Sequence, residues 1–211
     1  MNRFYSILGL MLAFSIIAVP AVAQSQASIG LKAGYTAANL RGDDAGNLEW
    51  RSGFVGGLFV HLPVASWFAI QPEVLFRQRG AYNNFEFSNI EQRINLTYID
   101  IPVLFKLRVP IADMVYPHVY VVPQGSFRLT GEYEVDLYNG TTFSDQIDVR
   151  KFDFGGVLGF GVDVVTDRIF FNTDIRYGLG ALKIDGSDNP MDLKNKDLSI
   201  MVGIGVNIGQ D

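Results

Sequence analysis

The sequence predicts an all-β fold made of eight long antiparallel strands. After Gln24, no window keeps the helical period of 3.6, whereas apolar residues alternate with polar or small ones in segment after segment. Aromatic residues make up 13% of the 211 residues, and 22 are glycine, which suits strands joined by tight turns. With 48% hydrophobic and only 18% charged residues, the chain has enough apolar material to fold, and disorder is excluded.

Residues 1–23 are predicted to be a cleaved signal peptide, and residues 24–211 are predicted to form one domain. The apolar run from Ile7 to Val19 is shorter than the about 20 residues that a membrane-spanning helix needs. Pro20 ends this run, and small residues then occupy the positions that a signal peptidase recognises. The predicted cleavage site therefore lies between Ala23 and Gln24.

Eight segments of the mature chain alternate with period two and are the predicted strands. Each reaches the about 9 to 11 residues that a tilted strand needs to cross a bilayer, whereas strands of soluble proteins usually have about 5 or 6. In chain order they are Ser28–Leu40, Gly53–Leu62, Phe68–Arg79, Arg93–Arg108, Tyr116–Thr130, Lys151–Val165, Ile169–Leu179 and Asp197–Ile208. Their length favours a membrane protein.

The last strand shows most clearly that one face is apolar. Large aliphatic side chains occupy every second position from Leu198 to Ile208, and small or polar residues lie between most of them. An inward apolar face would make a secreted, lipocalin-like ligand-binding barrel. The lumen of an eight-stranded barrel only just fits side chains, so the large residues of this strand alone would overpack it. We therefore expect the apolar face to contact lipid.

The lengths of the connections predict how the barrel lies in a membrane. The gaps after the second, fourth and sixth strands are short, whereas those after the first, third, fifth and seventh are long and polar. Tight periplasmic turns, longer extracellular loops and an even number of strands are typical of bacterial outer-membrane barrels. The prediction is thus an up-and-down transmembrane β-barrel in the outer membrane of a Gram-negative bacterium.

Several segments also carry a family resemblance. They are Gly30–Gly34 with Asn39 and Leu40, Gly53–Gly57, Ile70–Phe76 with Arg79 and Gly80, Tyr98–Lys106 and the glycine-rich last strand. In these residues the chain resembles the PorT-type outer-membrane proteins, which are similar in architecture to OmpX-like and OmpA-like eight-stranded barrels. The resemblance covers essentially the whole mature chain, and it implies a part in protein export or surface assembly.

The non-lipid faces of the strands place charged residues in the lumen. The candidate network has five cations and five anions: Lys32, Arg77, Lys106, Arg128 and Arg176 with Glu73, Asp100, Asp153, Asp163 and Asp174. Because an unpaired buried charge costs several kcal/mol, we expect these groups to pair and to plug the lumen. The alternative is a small-solute or ion pore, although the balance of signs speaks against ion selectivity.

Pro72 and Pro102 are expected to mark β-bulges.

The longest loop contains a predicted hairpin. Asn139-Gly140 between alternating segments is a strong signal for a two-residue turn, so the fifth strand is expected to continue as a projecting ribbon. An exposed edge of this ribbon could accept a strand from a protein partner, or the hairpin could merely close the barrel. The candidate residues for partner binding are Tyr133, Val135, Leu137, Asn139, Gly140 and Phe143.

Composition and motifs favour a non-enzymatic role as an envelope scaffold or as a docking or assembly surface. The chain has no cysteine, and its two histidines, His61 and His118, fall at the predicted periplasmic end, away from outer-leaflet lipids. No catalytic, cofactor or metal motif is found. The net charge of −5 argues against a nucleic-acid partner. The expected partners are outer-membrane lipids and an unidentified protein at the outer loops, with the barrel itself a monomer.

Overall fold

The part of the chain that the computed structural model describes contains nine β-strands. The described residues are 26–43, 45, 48–85, 90–137, 142–146, 150–184 and 192–208. The strands are β1 (Ala27–Arg41), β2 (Glu49–Ala65), β3 (Phe68–Phe85), β4 (Ile90–Arg108), β5 (Val115–Leu137), β6 (Thr142–Gln146), β7 (Phe152–Val165), β8 (Ile169–Gly180) and β9 (Lys194–Ile208). The predicted signal peptide and its cleavage site, and the turn residues Asn139 and Gly140, lie outside the described residues. Within them, no helix is long and apolar enough to cross a membrane.

Eight of these strands close into one antiparallel barrel. Around the barrel the order is β1, β2, β3, β4, β5, β7, β8 and β9, and β9 pairs with β1 along fifteen residues from Ala27 to Arg41. The pairing of β4 with β5 closes the sheet, so the barrel wall has no free edge. The eight predicted strands are therefore confirmed, and the fold class is an up-and-down β-barrel.

The ninth strand, β6, pairs with the far end of β5 outside the barrel wall. The loop that the sequence predicts after the third strand is also largely β-structure, because β3 and β4 pair as far as Phe85 and Ile90. β3, β4, β5 and β6 therefore extend together beyond the barrel as a four-stranded sheet. We call this extension, residues 82–85, 90–93, 130–137 and 142–146, the ribbon.

The apolar face points outward, as the sequence predicts. On β9, Ile200 and Val202 are 55% and 63% exposed, whereas Ser199 and Met201 between them are buried. The same alternation runs through β1, β7 and β8. Lipid can cover such a band, while a soluble barrel would expose it to water at a large free-energy cost. The lipocalin-like alternative is therefore wrong for this fold.

The prolines do not produce the expected bulges. The β3–β4 register is the same on both sides of Pro72, and the β4–β5 register is the same on both sides of Pro102. The pairing is instead interrupted beside each proline, because proline lacks the N–H that the ladder needs. The register shifts lie elsewhere, one of them between Thr97 and Tyr98 of β4.

Candidate functional site

The lower half of the lumen, nearer the short turns, holds a neutral ionic cluster. Its six members, here called the central cluster, are Lys32, Glu73, Lys106, Asp163, Asp174 and Arg176, and every one is at most 2% exposed. They come from five different strands, since each occupies a lumen-facing position of the period-two pattern. Three cations thus face three carboxylates.

The ion pairs of the central cluster cross the lumen. Arg176 on β8 contacts both oxygens of Glu73 on β3, at 2.6 and 2.9 Å, and also reaches Asp174 at 3.1 Å. Lys32 on β1 contacts both Glu73 and Asp174. A second pair, Lys106 and Asp163, is 2.8 Å apart. These ion pairs join side chains of β1, β3 and β8 and, separately, of β4 and β7.

Neutral side chains add hydrogen bonds to two of these carboxylates, Asp174 and Glu73. The hydroxyl of Tyr120 donates to Asp174 at 2.9 Å, and Gln71 donates to Glu73 at 2.7 Å. The ring of Tyr120 lies over Gly159, where a Cβ atom would come within 2.3 Å of the ring. Binding of the remaining oxygens stabilises a buried carboxylate, and these partners do so for Asp174 and Glu73.

A second neutral cluster lies nearer the long loops. We call Arg77, Arg79, Asp100 and Asp197 the outer cluster. Arg77 contacts Asp100 and Asp197, each at 2.7 Å, and Arg79 contacts the same two carboxylates, each at 3.0 Å. Each carboxylate is therefore shared by two guanidinium groups, an arrangement that the planar, multiply donating arginine side chain favours.

An apolar cap closes the lumen beyond the outer cluster. The buried side chains of this cap come from β1, β3, β4 and the connection between β8 and β9, and they are Leu40, Ala81, Leu96, Tyr98, Ile184 and Leu193. Ala45 and Leu48 of the first long loop pack against them. A solute or ion that enters at the long-loop end would have to pass these buried side chains.

The structure brings eight of the ten predicted lumen charges into these two clusters. Asp153 is buried but accepts a hydrogen bond from Asn195 instead of contacting a cation. Arg128 is half-buried and belongs to neither cluster. The register shift between Thr97 and Tyr98 sets Arg128 opposite Tyr98, at the rim of the barrel, which accounts for its partial exposure.

Three further lumen charges were not predicted, although the period-two alternation of side chains could have identified them. Arg79 follows Arg77 by two positions, Asp197 precedes Ser199 by two, and Arg108 follows Lys106 by two. All three residues are buried. They are the terminal residues of predicted strands, and the alternation was not used there to decide which side chains face the lumen.

The short-turn end of the lumen contains both histidines. His61 bonds to Gln71 at 3.0 Å and to Arg108 at 3.2 Å, and the ring of Phe170 stacks on it. His118 lies 3.1 Å from Asp174. Both histidines are buried among lumen side chains, far from the long loops.

The ribbon exposes an acidic surface and the aromatic side chain of Phe143. Val135 pairs with Phe143 across β5 and β6, and Phe143 is 59% exposed. Arg93 on β4 forms an ion pair with Asp136 at 3.3 Å, and Thr142 donates to the same carboxylate at 2.6 Å. Of the candidate partner-binding residues, Tyr133 and Val135 lie on β5 beside Leu137, whose side chain is outside the described set.

Comparisons with known proteins agree with this architecture. Residues 22–183 match the family described as outer membrane protein beta-barrel domain. The structure of OprG from Pseudomonas aeruginosa aligns with a TM-score of 0.53 at 10% identity, covering 90% of this chain and all of that one. Neisserial surface protein A (TM-score 0.48, 16% identity) and Ail of Yersinia pestis (0.46, 12%) each align over 87% of this chain and all of their own.

No curated protein matches the sequence. At these identities the likeness to OprG concerns the fold alone. The match to the family spans most of the chain, and the outward apolar band and closed barrel agree with it. The chain therefore belongs to the outer membrane protein beta-barrel domain family and is an eight-stranded outer-membrane β-barrel protein.

Proposed function

We propose that this protein is a non-conducting anchor that presents the ribbon at the cell surface as a docking surface. The observation that carries the proposal is the position of β6. Among the described residues, β6 pairs only with β5, so one of its edges offers backbone N–H and C=O groups to another strand. All five of its residues are exposed.

The chemistry of the ribbon suggests what such a partner would look like. An extended segment would add to β6 through main-chain hydrogen bonds, and its side chains would meet Phe143 and the acidic groups nearby. The acidic groups are Glu132, Glu134, Asp136 and Asp145. The proposed partner is therefore an extended protein segment that combines basic residues with an apolar residue opposite Phe143.

A role in export or assembly and the targeting of the chain to the envelope are proposed from the sequence. Resemblance to PorT-type proteins supports a role in protein export or surface assembly, and residues 1–23 would direct the chain to the envelope. A non-enzymatic role is supported by the position of His61 and His118, because neither buried ring lies near the extracellular surface where an outer-leaflet substrate would be.

The test is site-specific photo-crosslinking in intact cells. A photoreactive residue placed at Phe143 should yield a discrete protein adduct, and the same residue at Val64, which is exposed at the periplasmic end, serves as the matched control. Substituting Ser144→Pro removes a backbone donor from β6 and should abolish the adduct while the barrel still folds. An adduct at Phe143 that contains only lipid, or one that survives Ser144→Pro, would contradict edge docking.

A further inference from the structure

Cationic side chains lie side by side along one part of the barrel rim at the long-loop end. Backbone hydrogen bonds join the segments that carry them. Arg128 donates its N–H to the carbonyl of Lys151 at 2.9 Å. Arg150 donates to Ile184 at 2.7 Å, and Ile184 donates to Leu193 at 2.8 Å. These bonds connect β5 with the long-loop ends of β7, β8 and β9. We call the cations of these segments the basic rim, and they are Arg128, Arg150, Lys151, Lys183, Lys194 and Lys196.

The charges of the basic rim are mostly unpaired. Its contact with a described carboxylate is the ion pair between Lys194 and Asp192, at 3.2 Å. The hydrogen bond from Lys194, together with the charges of Lys194 and Lys183, lowers the pKa of Asp192. The other five members form no ion pair with any described carboxylate, and Arg150 and Lys151 are exposed. The described part of this rim therefore has more positive than negative charge.

The basic rim lies at the height of the lipid headgroups. On β9 the outward apolar residues run from Leu198 to Ile208, which is about 33 Å along the strand at about 3.3 Å per residue. A strand tilt of about 40° reduces this length to a height of about 25 Å, the height of the apolar band of outer-membrane barrels. Lys196 is the next residue on the outward face, since the residues on either side of it, Asn195 and Asp197, are buried. Its ammonium group therefore lies just beyond the hydrocarbon.

Aromatic side chains mark the same height. The Nζ atom of Lys196 lies 5.1 Å from the centre of the Trp50 ring, which is 47% exposed. On β7, the exposed ring of Phe152 directly follows Lys151. Tryptophan rings beside lysines are typical of the level at which hydrocarbon meets the headgroups. The basic rim is therefore continuous with the lipid-facing surface of the barrel.

The ribbon, on the neighbouring part of the rim, carries the opposite charge. Its acidic side chains on β5 are Glu132, Glu134 and Asp136, and Arg93 is bound to Asp136 at 3.3 Å. An anionic ligand would be repelled by the ribbon and attracted by the basic rim. This asymmetry restricts such a ligand to the side of β7, β8 and β9.

We propose that the basic rim binds the phosphate groups of a phosphorylated glycolipid of the outer leaflet, of the lipid A class. Arginine and lysine form charge-assisted hydrogen bonds with phosphate oxygens, and a row of cations suits a ligand with more than one phosphate. The acyl chains of this lipid lie against the outward apolar faces of β7 and β9, which begin next to the cations. This inference does not depend on docking at the ribbon.

The experiment is a calorimetric titration of the folded full-length barrel in detergent micelles with lipid A that carries two phosphates. Lipid A without its phosphates should bind more than about tenfold more weakly. Lys196→Gln should weaken binding of the phosphorylated form about fivefold. The triple variant with Arg150→Gln and Lys183→Gln should weaken it on the order of 100-fold. Arg168→Gln removes an exposed cation at the short-turn end and is the matched control.

Equal affinity of the unsubstituted barrel for the two forms of lipid A overturns the proposal, and this comparison needs no variant to fold. An affinity of Lys196→Gln that matches that of Arg168→Gln also overturns it, because the position of the cation would then not matter. Displacement of lipid A by millimolar inorganic phosphate would assign the basic rim to free phosphate and overturn the assignment to a lipid.

Discussion

Arg176 on β8 donates hydrogen bonds to both carboxylate oxygens of Glu73 on β3, and these two strands lie on opposite sides of the barrel. Three strands lie between them in either direction around the wall. The pair, here called the crossbar, therefore spans the lumen, and Lys32 on β1 contacts Glu73 as well. Such a pair resists any widening of the barrel, because separation would leave two buried charges unpaired.

Glu73→Gln should strongly destabilise the barrel. The substitution leaves Arg176 and Lys32 facing only Asp174, and breaking a buried ion pair by removing one partner typically costs about 3–5 kcal/mol. The free energy of unfolding, measured by urea titration in detergent, should fall by about this amount. Glu132→Gln, an exposed glutamate on the ribbon, should change it by less than about 0.5 kcal/mol. Equal effects of the two substitutions would contradict the crossbar.

Replacing both members of the crossbar should be milder than the two single effects added together. In Glu73→Gln with Arg176→Met, Lys32 and Asp174 remain as a neutral pair, so no uncompensated charge is buried. A double-mutant cycle should give a coupling energy of about 0.5–3 kcal/mol between Glu73 and Arg176. Additive effects within about 0.3 kcal/mol would mean that the two groups do not act as a pair.

The barrel should be silent in planar-bilayer conductance measurements. Two ionic clusters and the apolar cap occupy the lumen in succession, and an ion would have to break several charged hydrogen bonds to pass. Insertion is verified by heat-dependent gel migration, and a known porin in the same bilayer is the positive control. Reproducible conductance steps from the inserted barrel would support the pore alternative.

Gly159→Ala should destabilise the barrel, whereas Gly156→Ala should not. A Cβ atom on Gly159 would come within 2.3 Å of the Tyr120 ring, which would displace the hydroxyl bound to Asp174. Overpacking of this kind costs about 1–3 kcal/mol. A Cβ atom on Gly156 meets nothing within 4 Å. Thermal unfolding of the two variants side by side checks the prediction, and an unchanged Tm for Gly159→Ala would contradict it.

Val202→Lys should interfere with folding into a membrane. Val202 is 63% exposed and lies near the middle of β9, so the lysine would enter the lipid core at a cost of about 2–4 kcal/mol. Ile208→Lys, at the periplasmic end of the same strand, should cost only about 0–1 kcal/mol. Folding yields into lipid vesicles of the two variants provide the measurement. Similar yields would show that the outward face of β9 does not cross the membrane.

Much of the barrel could be predicted from the sequence because strand alternation is a local property. From Leu198 to Ile208 every second residue is large and apolar, and a strand necessarily places those side chains on one face. The same alternation predicted that the side chains of Glu73 and Arg176 face the lumen. Arg79 and Asp197 were missed although they are the terminal residues of predicted strands, because the alternation was not applied to strand ends. The extension of β3 and β4 into the ribbon was missed because its residues are polar and resemble a loop.

By itself, the sequence determined the number of strands in the barrel wall, the face of each that meets lipid and the alternation of short and long connections. Only the tertiary structure decided which cation meets which carboxylate. Glu73 and Arg176 are 103 positions apart, and their contact depends on the register of every intervening strand and on closure by β4 and β5. A one-residue slip in any strand would turn its charges toward lipid, so pairing across the lumen is a property of the closed barrel and not of any segment.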